Sequence, residues 1–286
     1  MSIPSIHKIN ECLRNSGFDA IDNQSIVHTE QYISILLERD QNIEQIKSLR
    51  NESLISDKEI FFSIDWQGPY GEKILIDILS PFERDNTLVI NDKNMIHHMC
   101  NNIYLSLLKS LVKVGVEIDF NSFLVESLSG EKRELDIFNF LINNFEFENQ
   151  SLLNSISWII HNNYYTSSEG RGSFNALLNK GVNLNEKFLS GHFSDYFLDY
   201  ESIFTVAFCH SLEAFKELIE LKPNTRAVEE IPWEYVVESH YLNECHINQI
   251  EMLAKSGYNL PLQEIADYFE EDDQPEFAYK VLSFAK

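Results

Sequence analysis

The chain has 286 residues, 44% of them hydrophobic and 12% aromatic, with 20 Phe and 12 Tyr. That apolar content offsets the entropy cost of folding, which excludes an intrinsically disordered chain and leaves room for one or two domains. Against 22 Lys and Arg stand 45 Asp and Glu, a formal charge of -23, so the surface repels phosphate backbones and anionic lipid heads; no nucleic acid and no membrane is expected as partner, and a protein with a basic surface is favoured.

The first residues, Met1 to Lys8, lack the charged start and continuous apolar stretch of a secretory signal, and no run of about 18 apolar residues is present to span a bilayer. The expected location is the cytoplasm, or another cell reached by a route without an N-terminal signal peptide. Cys12, Cys100, Cys209 and Cys245 fall at no short paired spacing and read as buried reduced thiols.

In chain order, residues 1–93 read as an α+β cap domain. Ile6, Ile9, Cys12 and Leu13 form a helical stripe closed by Gly17, and Tyr32 to Leu49 carries a second helical pattern. The period then changes: Glu59–Trp66 and Glu72–Leu79 are β-rich runs joined by Gln67-Gly68-Pro69-Tyr70-Gly71, the pattern of a hairpin, and Thr87–Ile90 adds a third strand.

Residues 94–286 contain five related segments, beginning at Leu107, Ile137, Phe174, Phe215 and Ile250. In each, an apolar stripe at helical spacing runs into a turn, marked by Gly115, Asn144, Gly181, Lys222 and Gly257, and a short alternating tail follows. These ends are 29, 37, 41 and 35 residues apart. Between them lie Phe123–Leu128, Leu152–Ile160, Ile203–Cys209 and Trp233–Glu238, with Leu262–Phe269 after the last, so each unit is a helix pair. Pro232 and Pro261 stand at helix starts, where a missing N–H costs nothing.

The stretch Ile203–Ile219, with Ala207, the short polar turn His210-Ser211 and the helix-opening pair Leu212-Glu213, resembles the ankyrin-repeat family. The tails Gly181-Val182-Asn183-Leu184-Asn185 and Gly257-Tyr258-Asn259-Leu260 are similar to that family's turn after the second helix. The sequence departs from the family in three ways: no unit opens with Thr-Pro-Leu-His, the spacing wanders, and Thr166–Ser173 reads as a flexible Gly/Ser-bearing insert splitting the third unit. The resemblance implies a mainly α fold, an ankyrin-like α-solenoid of about five to six helix pairs; another helical-hairpin solenoid is the alternative. It also implies the contexts in which microbial ankyrin-like chains act, as effectors directed at a host or as immunity proteins that neutralise a toxin.

Candidate chemistry is sparse. His97-His98-Met99-Cys100 places soft ligands close in sequence, but adjacent helical residues diverge by about 100°, and the span His240–His246 matches no zinc spacing, so no metal is expected. Asp65 and Asp77 could face one another across the hairpin as an acid-base pair, yet each also fits the polar outward position of an alternating strand. Ser167–Ser173 has two glycines but no following Gly-Lys-Ser/Thr, and Gly-x-Ser-x-Gly is absent. No cofactor and no catalytic residue is assigned. Trp158, Tyr164, Tyr165, Trp233 and Tyr235 are of the type that forms binding hot spots, although a Phe-rich stack claims most aromatics for its core.

Charge is the stronger signal. Residues 101–286 carry 29 acidic and 13 basic side chains, against 16 and 9 in residues 1–100. Two clusters stand out: Glu229, Glu230, Glu234 and Glu238, flanking Trp233 and Tyr235; and Glu264 to Glu276, with Glu270, Glu271, Asp272 and Asp273 at its centre and no intervening cation. These are the candidate binding residues of a non-catalytic interaction module. Each cluster also fits a solubilising end of a repeat stack. Two other readings stand beside this one: an enzyme centred on the N-terminal segment with the repeats as targeting module, and an acidic nucleic-acid mimic that inhibits a nuclease. The oligomeric state is left open.

Overall fold

The computed structural model describes residues 10–11, 14, 43–52, 60, 63, 89–90, 105–113, 116–129, 135–189, 202–221, 231, 233 and 244–285. Among these the protein is mainly helical, with eleven α-helices and two strands of two residues each. It divides into two compact units, Met1–Leu141 and Ile142–Lys286. The junction expected at residues 93–94 lies outside the described residues, as do the N-terminal helical stripe's apolar positions, the run Glu72–Leu79 and both Asp65 and Asp77.

In the first unit, helix α1 (Ile43–Asn51) overlaps the second helical pattern and buries Ile46 and Leu49. Ile60 and Ser63, inside the run read as a first strand, are helical and buried. Strand β1 (Val89–Ile90) falls in the expected third strand, but its partner is β2 (Glu117–Ile118), which it pairs in parallel with Ile90 opposite Ile118. β2 is the tail of the first repeated segment, placed after α2 (Leu105–Lys113) and before α3 (Phe120–Ser129). Asp119 starts α3, its carboxylate accepting from the backbone N–H groups of Asn121 and Ser122 at 3.1 and 3.3 Å. The unit's core is aliphatic and phenylalanine-rich: Leu108, Leu111, Phe123, Leu124 and, from α4 (Leu135–Asn144), Ile137, Phe138 and Leu141.

The second unit is built on two helices that are buried almost all round, as a helix apolar on every face must be. In α5 (Asn149–His161) nearly every residue from Ser151 to Ile160 is buried, and in α7 (Ile203–His210) every residue from Ile203 to Phe208. The two pack on one another. Ser155 tolerates this setting by bonding back along the helix, its Oγ donating to the Ser151 carbonyl at 2.8 Å, whereas Ser157 Oγ is buried without a hydrogen-bond partner. Each is followed by a second helix packed against it, α6 (Ser168–Asn179) after α5 and α8 (Leu212–Glu220) after α7. Ser211 alone joins α7 to α8: its N–H donates to the Ala207 carbonyl, closing one helix, and its Oγ accepts from Ala214 N–H at 3.2 Å, opening the next. Helices α9 (Glu244–Lys255), α10 (Leu262–Glu271) and α11 (Pro275–Leu282) complete the unit, with α10 packed on α11 and α9 against α7, α8 and α11.

The segment Thr166–Ser173 is not a flexible insert. Tyr164–Thr166 form a 3-10 turn, and Ser167 caps α6 by accepting from Gly170 N–H at 2.9 Å, so both glycines lie inside a helix. Gly170 is there because the helix crosses the 3-10 turn closely; a Cβ at this position would lie 2.0 Å from the Tyr164 carbonyl oxygen. The expected helix ends at Gly181 and Gly257 are present, both left-handed at φ 81° and 85°. Gly257 N–H bonds the Ala254 carbonyl and Tyr258 N–H that of Leu253, the paired bonds of a Schellman end. Asp273 fills the same role after α10 at φ 58°. Beyond α6, Asn149 and Gln150 at the start of α5 hold the returning chain, Asn149 exchanging bonds with the Asn183 backbone at 2.7 and 3.1 Å and Gln150 with that of Leu189 at 3.1 and 3.3 Å. No helix among the described residues is long and apolar enough to cross a membrane.

Candidate functional site

The acidic residues of the C-terminal helix pair, candidate binding residues in the sequence, lie at the surface. Glu264, Asp267, Glu270, Glu271, Asp273 and Glu276 are exposed and Asp272 is half-buried, while Ile265, Ala266 and Phe269 turn inward. This division follows from the 3.6-residue period: polar positions fill one side of α10 and apolar ones the other. The short link into α11 brings Glu270, Glu271, Asp272 and Asp273 to a single turn. Two of the carboxylates are oriented by neighbouring amides, Asp267 by Gln263 at 2.7 Å and Asp272 by Gln274 at 2.6 Å. Among the described residues none of the exposed carboxylates from Glu264 to Glu276 is in an ion pair. Tyr279 on α11 is 79% exposed, the most exposed large apolar side chain described. Sequence reasoning missed it because α11 was not recognised as a helix, although Pro275 at its first turn was a usable signal.

Of the other cluster, Glu229, Glu230, Glu234, Tyr235 and Glu238 lie outside the described residues. Trp233 is described and is a core residue, 4% exposed and edge-on to Phe208 with ring centroids 5.4 Å apart. It is therefore not the surface anchor for which the sequence made it a candidate; an indole beside so many phenylalanines is drawn into their core. Trp158, Tyr164 and Tyr165 are likewise buried. Tyr165 donates a hydrogen bond to the Glu217 carboxylate and lies under the Arg171 guanidinium, 5.1 Å from the ring centre. Burial, reinforced by Glu217, pushes its phenol well above the ordinary range, so the group is a neutral hydrogen-bond donor that ties the 3-10 turn to α8.

A third feature has no counterpart in the sequence reading. His161 ends α5 and His210 ends α7, and because these helices pack side by side their last residues meet. His161 Nδ1 and His210 Nε2 are 3.4 Å apart, with ring centroids at 4.6 Å and planes at 71°. His246, near the start of α9, packs on Phe208 at 5.5 Å and hydrogen-bonds the backbone of Cys209. Burial lowers the pKa of His161 and of His246. Burial, then repulsion from those two imidazoles, takes His210 down to about 4. The result is three neutral imidazoles at neutral pH. Cys209 is in no disulfide and is half-buried rather than fully buried. His97, His98, Cys100 and His240 lie outside the described residues, and among the described ones no group of three or more His, Cys, Asp or Glu side chains has metal-holding geometry.

Comparison with protein-family models, with curated proteins and with solved structures finds no match to this chain.

Proposed function

We propose that the protein is a non-catalytic protein-protein interaction module, an ankyrin-like stack of helix pairs whose C-terminal pair docks a partner with a basic surface. The stacking is supported by the pairing of α5 with α6 and α7 with α8, by the packing of the two first helices on one another, and by the glycine-ended tails after α6 and α9. The observation that carries the docking face is the outward side of α10 and its turn, where Glu264, Asp267, Glu270, Glu271, Asp273 and Glu276 are exposed, with the exposed Tyr279 beside them on α11. Exposed carboxylates such as Glu270, Glu271 and Asp273 attract a basic surface over a screening length of about 8 Å at physiological ionic strength, and a solvent-exposed tyrosine supplies contact area at small entropic cost. Effector and immunity roles are the two contexts that the ankyrin resemblance supports.

The test is affinity capture from the source organism with the intact chain. Wild type should retain a basic protein that salt elutes. A variant with Glu270, Glu271, Asp272 and Asp273 changed to their amides, and a second with Tyr279→Ala, should each retain less of it. Equal retention by all three would remove this face from the function.

A further inference from the structure

We propose that α9, α10 and α11 form a hinged C-terminal flap, which releases from α7 and α8 as one piece while α5 to α8 stay folded. Two features of the fold point to it. The first is how the flap is attached. Among the described elements α10 packs on α11, α11 packs also on α9, and it is α9 that rests on α7 and α8, so one helix carries the join.

The second is what that join is made of. His246, Gln249, Ile250 and Leu253 are buried at i, i+3, i+4 and i+7, one face of α9. His246 shows where the face points, its ring centroid 5.5 Å from that of Phe208 on α7. Half of this stripe is polar. Gln249 is 1% exposed and leaves its Oε1 without a hydrogen-bond partner. Trp233, edge-on to the same Phe208, leaves its Nε1–H without one as well. A buried group in this state forfeits the bond that water would give it. Release wets both groups, so the penalty falls on the closed join alone and makes opening easier than across an apolar seam. The one other such atom described in this part of the chain, Ser157 Oγ, belongs to α5, whose buried positions from Leu152 to Ile160 are mostly apolar. What release uncovers is the aromatic surface of Phe208 and Trp233, which the closed flap hides.

The experiment is native-state hydrogen exchange of the intact chain, followed by mass spectrometry near neutral pH at urea concentrations below the unfolding transition. Amides of α9, α10 and α11 should exchange together through one opening step, and faster than those of α5 and α7. Gln249→Met removes the unpaired acceptor while keeping an unbranched side chain of similar length; it should slow exchange in the flap by at least about fivefold and leave α5 and α7 unchanged. Ile250→Val gives the opposite, independent reading: it should speed the flap by roughly 2–10-fold, again without effect on α5 and α7. The proposal is overturned if the flap exchanges only together with α5 and α7 in a single global transition, if its three helices exchange independently of one another, if Gln249→Met fails to slow it, or if Ile250→Val speeds α5 and α7 as much as the flap.

Discussion

At the residue scale, two glycines three and five residues after the Ser167 cap separate what sequence can and cannot tell. Gly170 and Gly172 look alike in the string Ser168-Glu169-Gly170-Arg171-Gly172-Ser173, which is why composition read the segment as flexible. In the structure one is indispensable and the other is not. A Cβ at Gly170 would sit 2.0 Å from the Tyr164 carbonyl oxygen, whereas one at Gly172 meets nothing within 4 Å. Gly170→Ala should therefore lower stability by about 1–3 kcal/mol through forced displacement of the 3-10 turn. Gly172→Ala should raise it by about 0.5–1 kcal/mol by removing the helix-interior cost of glycine. Urea midpoints of the two variants, moving in opposite directions, check this; equal shifts would mean that the crossing of α6 over the turn is wrong. The same limit hid His161 and His210, which are 49 residues apart and meet only because their helices do. The helix-ending glycines were legible, by contrast, because a left-handed end is written locally in the sequence.

At the element scale, helix positions were largely readable from their apolar stripes, since periodicity and caps are properties of a few neighbouring residues. The exceptions have physical causes. Ile60 and Ser63 are helical where β-branched and aromatic composition indicated strand, because tertiary burial outweighs propensity. Helix α11 was hidden behind an acidic turn. How helices pack leads to a pH prediction. The imidazoles of His161, His210 and His246 come from α5, α7 and α9, and folding lowers the pKa of each, that of His210 from 6.5 to about 4. Between those two values the unfolded chain binds more protons than the native one, so stability rises with pH there. In metal-free buffer the urea midpoint should fall as pH drops from 6.5 towards about 4. The fall should be shallower in His210→Gln, most visibly above pH 5, where surface carboxylates scarcely titrate. Parallel profiles for the two proteins would show that the buried imidazoles do not set the acid response.

At the scale of the whole molecule, the charge imbalance was fully legible and its use was not, because a sequence shows how many carboxylates there are but not which face water unpaired. The structure moves the weight of the candidate site away from the buried Trp233 and onto the C-terminal helix pair, where Glu270, Glu271 and Asp273 are exposed beside the half-buried Asp272, and where Tyr279 was not foreseen. Rim charges act mainly on encounter, and packed aromatics on residence time. The decisive measurement is the association rate with the captured basic partner, by surface plasmon resonance, at low and high salt. The expected rate falls steeply with salt in wild type, and is slower with a flatter dependence when Glu270, Glu271, Asp272 and Asp273 are changed to their amides, with dissociation little altered. An association rate in wild type that does not respond to salt would contradict it.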